Sequence, residues 1–268
     1  MISLKKDKSK KGVTIELVLI TALGVGGATI VGALLGFIFK NPSHRMSDML
    51  LSFAAGVMLA AAVIGLVLPS VEYGGGGWLA ILITVVGIFC GALCLNLIDK
   101  LVPHLHKLTG VDGEAHPDQS AKLNKVLLFV IAIAIHNLPE GIAAGVGFGS
   151  ENVAHAFMIA GGIALQNIPE GMVIIAPMIA AGMSKGRTLA VAAMTGVVEV
   201  IGTFIGYFAA SVSAAVLPFA LAFAGGTMIY VISDEMIPET HAHGSERGAT
   251  YALLVGFCLM LAFDVMLG

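Results

Sequence analysis

The sequence predicts an all-α membrane protein with eight transmembrane helices. Hydrophobic residues make up 57% of the 268-residue chain and charged residues only 12%, which is a membrane-protein balance rather than that of a soluble domain. Breaking the chain at charged and loop-forming residues leaves eight apolar runs, and each run approaches or exceeds the ~20 residues that a helix needs to cross a bilayer. We therefore expect one polytopic membrane domain over residues 1–268.

Short polar connections separate the eight predicted spans, which cover residues 14–39, 48–70, 77–99, 123–148, 154–182, 187–210, 214–233 and 250–267. The first span follows a lysine-rich tail and resembles a signal peptide. Because its apolar run continues to Phe39 without a clear cleavage site, we interpret it as a retained helix. Basic residues separate the first span from the second, and a run of four glycines separates the second from the third.

The longest connection, residues 102–122, joins the third and fourth spans and is too short for a folded domain. The short loop 149–153 makes the fourth and fifth spans antiparallel neighbours. Charged residues mark the remaining boundaries.

The basic residues predict the orientation in the membrane. In or beside alternate loops lie Lys40, Arg45, Lys100, Lys107, Lys122, Lys125, Lys185, Arg187 and Arg247. By the positive-inside rule these loops are cytoplasmic and both termini lie outside, although the five lysines of the N-terminal tail favour the opposite orientation.

Charge and cysteine usage narrow the function classes further. The net charge of −3, with basic residues scattered along the chain, argues against nucleic acid as a partner. Cys90, Cys94 and Cys258 lie in apolar runs and are interpreted as small core residues, with a soft-metal role for the first two, spaced i, i+4, as the less favoured alternative. His44, next to Arg45, is interpreted as a loop residue.

Two spans carry the same polar interruption 30 residues apart, HNLPEG at 136–141 and QNIPEG at 166–171. Each motif places a glutamate, Glu140 or Glu170, near the middle of its span, where a carboxylate is most costly. A third carboxylate, Glu199, lies near the centre of the sixth span, on the same face as several small residues, and is therefore expected to point into the bundle. One buried glutamate could simply bond to a neighbouring helix, but three carboxylates and a repeated motif favour a bound cation.

The motif residues have the geometry and chemistry of metal ligands. His136 and Glu140 share a helix face at i, i+4, and Pro139 and Pro169 should kink both helices and free backbone carbonyls. The candidate ligands are His136, Asn137, Glu140, Gln166, Asn167, Glu170 and Glu199. One imidazole, three carboxylates and three amides suit Zn²⁺, Fe²⁺, Mn²⁺, Co²⁺ or Cd²⁺ better than Cu⁺. Three anions exceed one divalent charge, so either a second ion binds or some carboxyls carry protons that the metal displaces.

With these paired motifs the chain resembles the ZIP (Zrt/Irt-like) family of divalent metal transporters, in particular its bacterial GufA-type members. The resemblance covers the whole chain and implies a 3+2+3 arrangement, in which kinked helices 4 and 5 lie between two three-helix units related by an inverted repeat. It also implies a binuclear site bridged by Glu170. The first position would use His136, Glu140 and Glu170, with Gln166, and the second Asn137, Asn167, Glu170 and Glu199. Where some relatives have His or an acid, the neutral Gln166 and Asn167 should weaken the second position or alter metal preference.

Three outer clusters are candidate metal contacts. The family's loop between spans three and four is often rich in histidine, and here it contains His104, His106 and His116. An ordinary solvated loop is the simpler interpretation. Beyond the seventh span, a cytoplasmic exit path would use Glu235, Glu239, His241 and His243. On the outer side Glu151 and His155, also spaced i, i+4, are candidate entrance residues, with a helix-start acid as the simpler account of Glu151.

The resemblance implies uptake of a divalent metal, zinc before other metals, from outside to cytoplasm by alternating access. We expect a multi-pass protein of the plasma membrane (the inner membrane of a bacterium), with no catalytic cofactor, and a homodimer is compatible with the sequence. The alternative is an intramembrane zinc-dependent hydrolase, which is disfavoured because the chain lacks HExxH and no Ser or Cys nucleophile accompanies His136. A membrane metal sensor is disfavoured because we expect no soluble output domain.

Overall fold

The computed structural model describes residues 14–39, 43–101, 134–150, 153–180, 182–211 and 215–267. Within these ranges all regular elements are helical: α1 (Ile15–Ile38), α2 (His44–Tyr73), α3 (Gly77–Leu101), α4 (134–147), α5 (Val153–Ala180), α6 (Lys185–Ser211), α7 (Leu217–Thr240) and α8 (Glu246–Leu267). Seven of them, all except α4, are long and apolar enough to cross a membrane. The prediction of an all-α, multi-pass membrane protein is confirmed. Residues 123–133 of the fourth predicted span lie outside the described residues.

Helix caps explain where the first two helices begin. The side chain of Thr14 accepts a hydrogen bond from the amide of Leu17 at the start of α1. Ser43 does the same for the amide of Met46, so α2 begins four residues earlier than the predicted span. The interpretation of His44 as a loop residue is therefore wrong, because the Ser43 cap makes it the first residue of α2.

Helices α2 and α7 each contain a π-helical segment, Ala61–Val67 in α2 and Ile232–Met236 in α7. In both helices a proline follows two residues after the π segment, Pro69 in α2 and Pro238 in α7, and the chain continues as α-helix. A π segment widens the turn locally, which accommodates a residue without an amide hydrogen and re-aims nearby side chains. Helix α7 therefore continues to Thr240, beyond the predicted end at 233, and carries Glu235 on helical backbone.

The helices pack in a repeated pattern. Helix α1 lies against α5 and α6, α2 lies against α8, and α3 lies against α7. Small residues allow the closest approaches: a Cβ atom on Gly26 of α1 would meet the backbone carbonyl of Gly196, and one on Gly32 would meet that of Ile168. The face of α6 that bears Glu199 is buried, as predicted.

Large apolar side chains cover parts of the outward-facing surface. Trp78, Leu79 and Phe89 of α3 are largely exposed, as are Tyr251 and Val255 of α8. Such side chains are stable only where they face lipid or another apolar surface. The same reasoning corrects the interpretation of the cysteines as core residues, because in a membrane protein an apolar run does not imply burial. Two of them are exposed and one is half-buried, namely Cys90, Cys258 and Cys94.

Candidate metal site

The glycine that ends each motif positions the motif against a neighbouring helix. A Cβ atom on Gly141 of α4 would meet the backbone carbonyl of Glu199 in α6, and one on Gly171 of α5 would meet that of Thr29 in α1. Only a residue without a side chain allows such close contact between helix backbones. The polar residues just before each glycine are therefore held beside Glu199 and Thr29.

The carboxylate of Glu199 is the centre of a fully buried hydrogen-bond network. Its Oε1 accepts from the hydroxyl of Thr29 at 2.7 Å and from the side-chain amide of Asn137 at 2.5 Å. Its Oε2 accepts from the side-chain amide of Asn167 at 2.6 Å, and the same amide also donates to the carbonyl of Val25 at 3.2 Å. One carboxylate thus joins α1, α4, α5 and α6.

The three hydrogen bonds that Glu199 accepts determine which oxygen lone pairs remain available to a ligand. An ionised carboxylate offers about four lone-pair directions, so roughly one remains on Glu199. Both asparagines direct their amide nitrogens at Glu199, which leaves the amide oxygens, Oδ1 of Asn137 and Oδ1 of Asn167, for another partner.

Five buried oxygen atoms of the two motifs have no hydrogen-bond partner among the described residues. They are Oδ1 of Asn137, Oε2 of Glu140, Oε1 of Gln166, Oδ1 of Asn167 and Oε1 of Glu170. Leaving a buried polar group without a partner costs about 1–3 kcal/mol, and more for a charged group. Carboxylate and amide oxygens are ligands for divalent cations, so a bound cation would give these oxygens a partner.

Charge repulsion within the site favours the same ligand. When ionised, Glu140 would be repelled by both Glu170 and Glu199, whereas a protonated His136 would attract Glu170. Such interactions are strong because the groups are buried in a medium of low dielectric constant. A divalent cation among these side chains would replace repulsion between carboxylates by attraction to a common charge.

His136 makes a contact that the sequence did not predict. Its Nε2 lies 2.7 Å from a carboxylate oxygen of Glu235 in the π segment of α7, a residue that the sequence analysis placed on the exit path. In the part of the chain that the structure describes, no three His, Cys, Asp or Glu side chains form a group that could already hold a metal ion. The predicted ligands of the first position are therefore neighbours rather than a preassembled ligand set, and His136 contacts Glu235.

The outer clusters are described only in part. His104, His106, His116 and Glu151 lie outside the described residues. His155 is half-buried near the start of α5 and interacts electrostatically with Glu72 of α2 and Asp264 of α8. Both ring nitrogens of His241 contact neighbouring groups, Nδ1 the carbonyl of Ile237 at 2.9 Å and Nε2 the hydroxyl of Thr250 at 3.3 Å.

The contribution of α1 was missed by the sequence analysis. Thr29 and the carbonyl of Val25 complete the network around Glu199, yet α1 carries neither motif nor charge in its middle. A usable signal was present, because the hydroxyl of Thr29 stands between Gly26 and Gly32 in the middle of the helix, where the neighbouring residues are apolar. Small residues on both sides of a polar one indicate a face that contacts another helix closely.

Comparison with known proteins decides the family. The sequence model of the family described as "ZIP Zinc transporter" matches residues 107–264. The chain belongs to this ZIP family. It is 40% identical to the zinc transporter GufA of Myxococcus xanthus over 93% of this chain and 98% of that protein. It is 38% identical to the zinc transporter ZIPB of Bordetella bronchiseptica (90% and 78%) and 32% identical to the human zinc transporter ZIP11 (90% and 94%).

Membership of the ZIP family confirms two predictions. The resemblance to bacterial GufA-type members is confirmed by the first two relatives. The protein is a metal transporter of the membrane rather than an enzyme, and the intramembrane hydrolase has no support among these relatives.

Proposed function

We propose that this ZIP protein carries Zn²⁺ across the membrane through the site between α4 and α5. The observation that carries the proposal is the set of five buried oxygen atoms, two from the first motif and three from the second, that no hydrogen-bond donor satisfies within the described residues. The names of the relatives, each a zinc transporter, support zinc as the substrate. Fe²⁺, Mn²⁺, Co²⁺ and Cd²⁺ fit the same ligand types and are competitors to be tested.

The proposed ligands divide between direct contact and support. Glu140 and Glu170 would bind the ion through carboxylate oxygens, and Asn137 and Asn167 through amide oxygens. Glu199 would orient both amides. It would offer the ion at most one lone pair, because its carboxylate already accepts three hydrogen bonds. Gln166, fully buried beside these residues, would complete the site if its amide oxygen turned towards the ion.

His136 would exchange partners during transport. In this conformation its Nε2 contacts Glu235, and an ion held by Glu140 and Glu170 would compete for the same nitrogen. If the carboxylate of Glu235 replaced the metal as the partner of His136, the central site would lose a ligand. The ion would then bind more weakly and could be released towards α7. Glu235 would thus be the first residue of the exit path.

We also propose the 3+2+3 arrangement of eight spans with an inverted repeat around kinked α4 and α5. Corresponding contacts support it: the pairing of α1 with α5 parallels that of α6 with α4. Gly32 in α1 meets the carbonyl of Ile168, two residues before Glu170, and Gly202 in α6 meets that of Leu138, two residues before Glu140. The π segments of α2 and α7 form a second corresponding pair.

Alternating access would move the central helices against the others. The backbone contacts at the motif glycines join α4 to α6 and α5 to α1, so these four helices should move together. The pairs α2 with α8 and α3 with α7 would form the stationary part. We place the protein in the plasma membrane (the inner membrane of a bacterium), with both termini outside, on the strength of the loop charges. A homodimer stays a prediction, because the structure describes a single chain.

Uptake into liposomes tests the proposal. Purified protein is reconstituted into vesicles that contain a zinc-sensitive dye, and external Zn²⁺ is added. We expect a protein-dependent signal that Glu170→Ala abolishes and that Glu16→Ala, at an exposed glutamate in the first turn of α1, leaves unchanged. Full uptake by Glu170→Ala, or none by the wild type, would reject the proposal. Competition by Fe²⁺, Mn²⁺, Co²⁺ and Cd²⁺ then defines selectivity.

A further inference from the structure

A second cluster of metal-ligand side chains lies where α2 begins and α7 connects to α8. Nδ1 of His243, in the connection 241–245, lies 3.1 Å from Oδ1 of Asp48 in α2. The imidazole of His44, one turn before Asp48, stacks on that of His243 with ring centroids 5.2 Å apart and an interplanar angle of 25°. The imidazole of His243 thus contacts both the carboxylate of Asp48 and the ring of His44.

The carboxylate of this cluster has an unused acceptor. Asp48 is only 4% exposed, and its Oδ2 has no hydrogen-bond partner among the described residues. A buried carboxylate with one oxygen unpaired is costly unless a cation or donor can reach it. His44 is exposed and the side chain of His243 is 35% exposed, so a cation could reach this carboxylate past the two rings.

We propose that His44, Asp48 and His243 bind one borderline divalent cation, of which Zn²⁺ is the representative. Imidazole nitrogen and carboxylate oxygen are among its usual ligands, and three protein ligands with a fourth position open to water are a common zinc coordination. Stacked rings do not direct their nitrogens at one point, so these three side chains, like every other such group among the described residues, do not form a ready ligand set in this conformation. Binding therefore requires an imidazole to rotate, which is feasible for His243 because it lies in a five-residue connection rather than in a helix.

The neighbouring histidine, His241, is engaged elsewhere. His241, two residues before His243, contacts the carbonyl of Ile237 and the hydroxyl of Thr250 through its two ring nitrogens. With three protein ligands, a fourth position would stay open to water or to another ligand. The proposed site is therefore one at which an ion could be exchanged.

The cluster lies close along the chain to the central site, which suggests that it binds an ion released from there. Glu235, which contacts His136, and His243 lie on one continuous segment, and the helical part from Glu235 to Thr240 spans only about 7.5 Å. The idea that His243 receives an ion from the central site rests on the proposed function and on the predicted orientation. Binding of a cation by His44, Asp48 and His243 depends on neither.

Counting bound zinc tests the inference. The full-length protein in detergent is equilibrated by dialysis against a fixed free Zn²⁺ concentration, and zinc per chain is measured by elemental analysis. We expect His44→Gln and His243→Gln each to lose one zinc per chain, or to weaken that ion at least about tenfold, since even outer-shell partners are worth 10–100-fold. His241→Gln, a matched histidine of the same connection, should keep the wild-type count. Asp48→Asn should lose the same ion, with its melting temperature measured as a check on folding.

The result separates this inference from the transport proposal. If His44→Gln and His243→Gln both retain the wild-type count, the inference is overturned. It is equally overturned if His241→Gln loses as much zinc as they do, because the connection rather than these ligands would then be responsible. Glu170→Ala removes zinc from the central site only, so it should still lose an ion when combined with His243→Gln. Vesicle uptake tests the transport proposal alone.

Discussion

The hydroxyl of Thr29 donates a 2.7 Å hydrogen bond to Oε1 of Glu199, which links α1 directly to the carboxylate that holds both motif asparagines. The backbone carbonyls of the same two residues each face a motif glycine, Gly171 for Thr29 and Gly141 for Glu199. The two residues therefore occupy corresponding positions in the two halves of the site, one with a hydroxyl and one with a carboxylate. This pairing makes Thr29 a positioning residue.

Removing the Thr29 hydroxyl should impair transport while leaving the fold intact. Thr29→Val keeps the shape of the side chain but removes a hydrogen bond to a charged group, worth about 1.5–3 kcal/mol. We expect zinc uptake by vesicles to fall about tenfold or more, and Thr29→Ser to restore it. Thr21→Val is the matched control, because the Thr21 hydroxyl donates only to the carbonyl of Leu17 in its own helix. Equal uptake by the two valine variants would contradict the role of Thr29.

The motif glycines should tolerate no side chain. Gly141→Ala would push a methyl group into the backbone carbonyl of Glu199, and overpacking of this kind costs about 1–3 kcal/mol or more. We expect a lower melting temperature in detergent and reduced uptake, and Gly171→Ala should behave alike because its methyl group would meet the carbonyl of Thr29. Gly161→Ala in α5 has no atom within 4 Å of the added methyl group, so it should be neutral or slightly stabilising. A neutral Gly141→Ala would show that the helices do not pack this closely.

Much of the architecture was predictable because length and polarity alone decide whether a helix can span a membrane. The burial of Glu199 also followed from its spacing to small residues on one face of α6. The errors of prediction concern helix ends and individual contacts. The end of α7 was misplaced because charged residues normally end a span, whereas here Glu235 remains in the helix and contacts His136.

Tertiary contacts between distant segments explain what the sequence did not predict. The hydrogen bond from Thr29 to Glu199 joins residues 170 positions apart, and the contact between His136 and Glu235 joins the first motif to the π segment of α7. Neither pair shares a spacing that a helical pattern would reveal. The exposure of Cys90 could not be predicted from the sequence either, because a side chain that faces lipid and one that faces the core both lie in apolar surroundings.

The contact between His136 and Glu235 should govern metal release more than metal binding. Glu235→Gln removes the charge that competes with the ion for Nε2 of His136, which lies 2.7 Å away. We expect the maximal uptake rate to fall several-fold while the half-saturating zinc concentration stays equal or decreases. Asp234→Asn, at an exposed neighbour in the same π segment, should change neither quantity by more than twofold. A Glu235→Gln variant with an unchanged maximal rate and a higher half-saturating concentration would assign Glu235 to binding instead.

Asn167 should set how strongly the second position holds an ion. Asn167→Asp removes the amide that donates to Glu199 at 2.6 Å and places a carboxylate there, so the protein without metal should lose stability through repulsion. Zn²⁺ would relieve that repulsion, and binding to the folded state alone stabilises it by RT ln(1 + [L]/Kd). We therefore expect a lower melting temperature without zinc and a larger zinc-induced increase than in the wild type. Asn96→Asp serves as control, since Asn96 donates to the hydroxyl of Tyr230 in the contact between α3 and α7, and its zinc-induced increase should equal that of the wild type. If Asn167→Asp also shows the wild-type increase, position 167 lies outside the metal site.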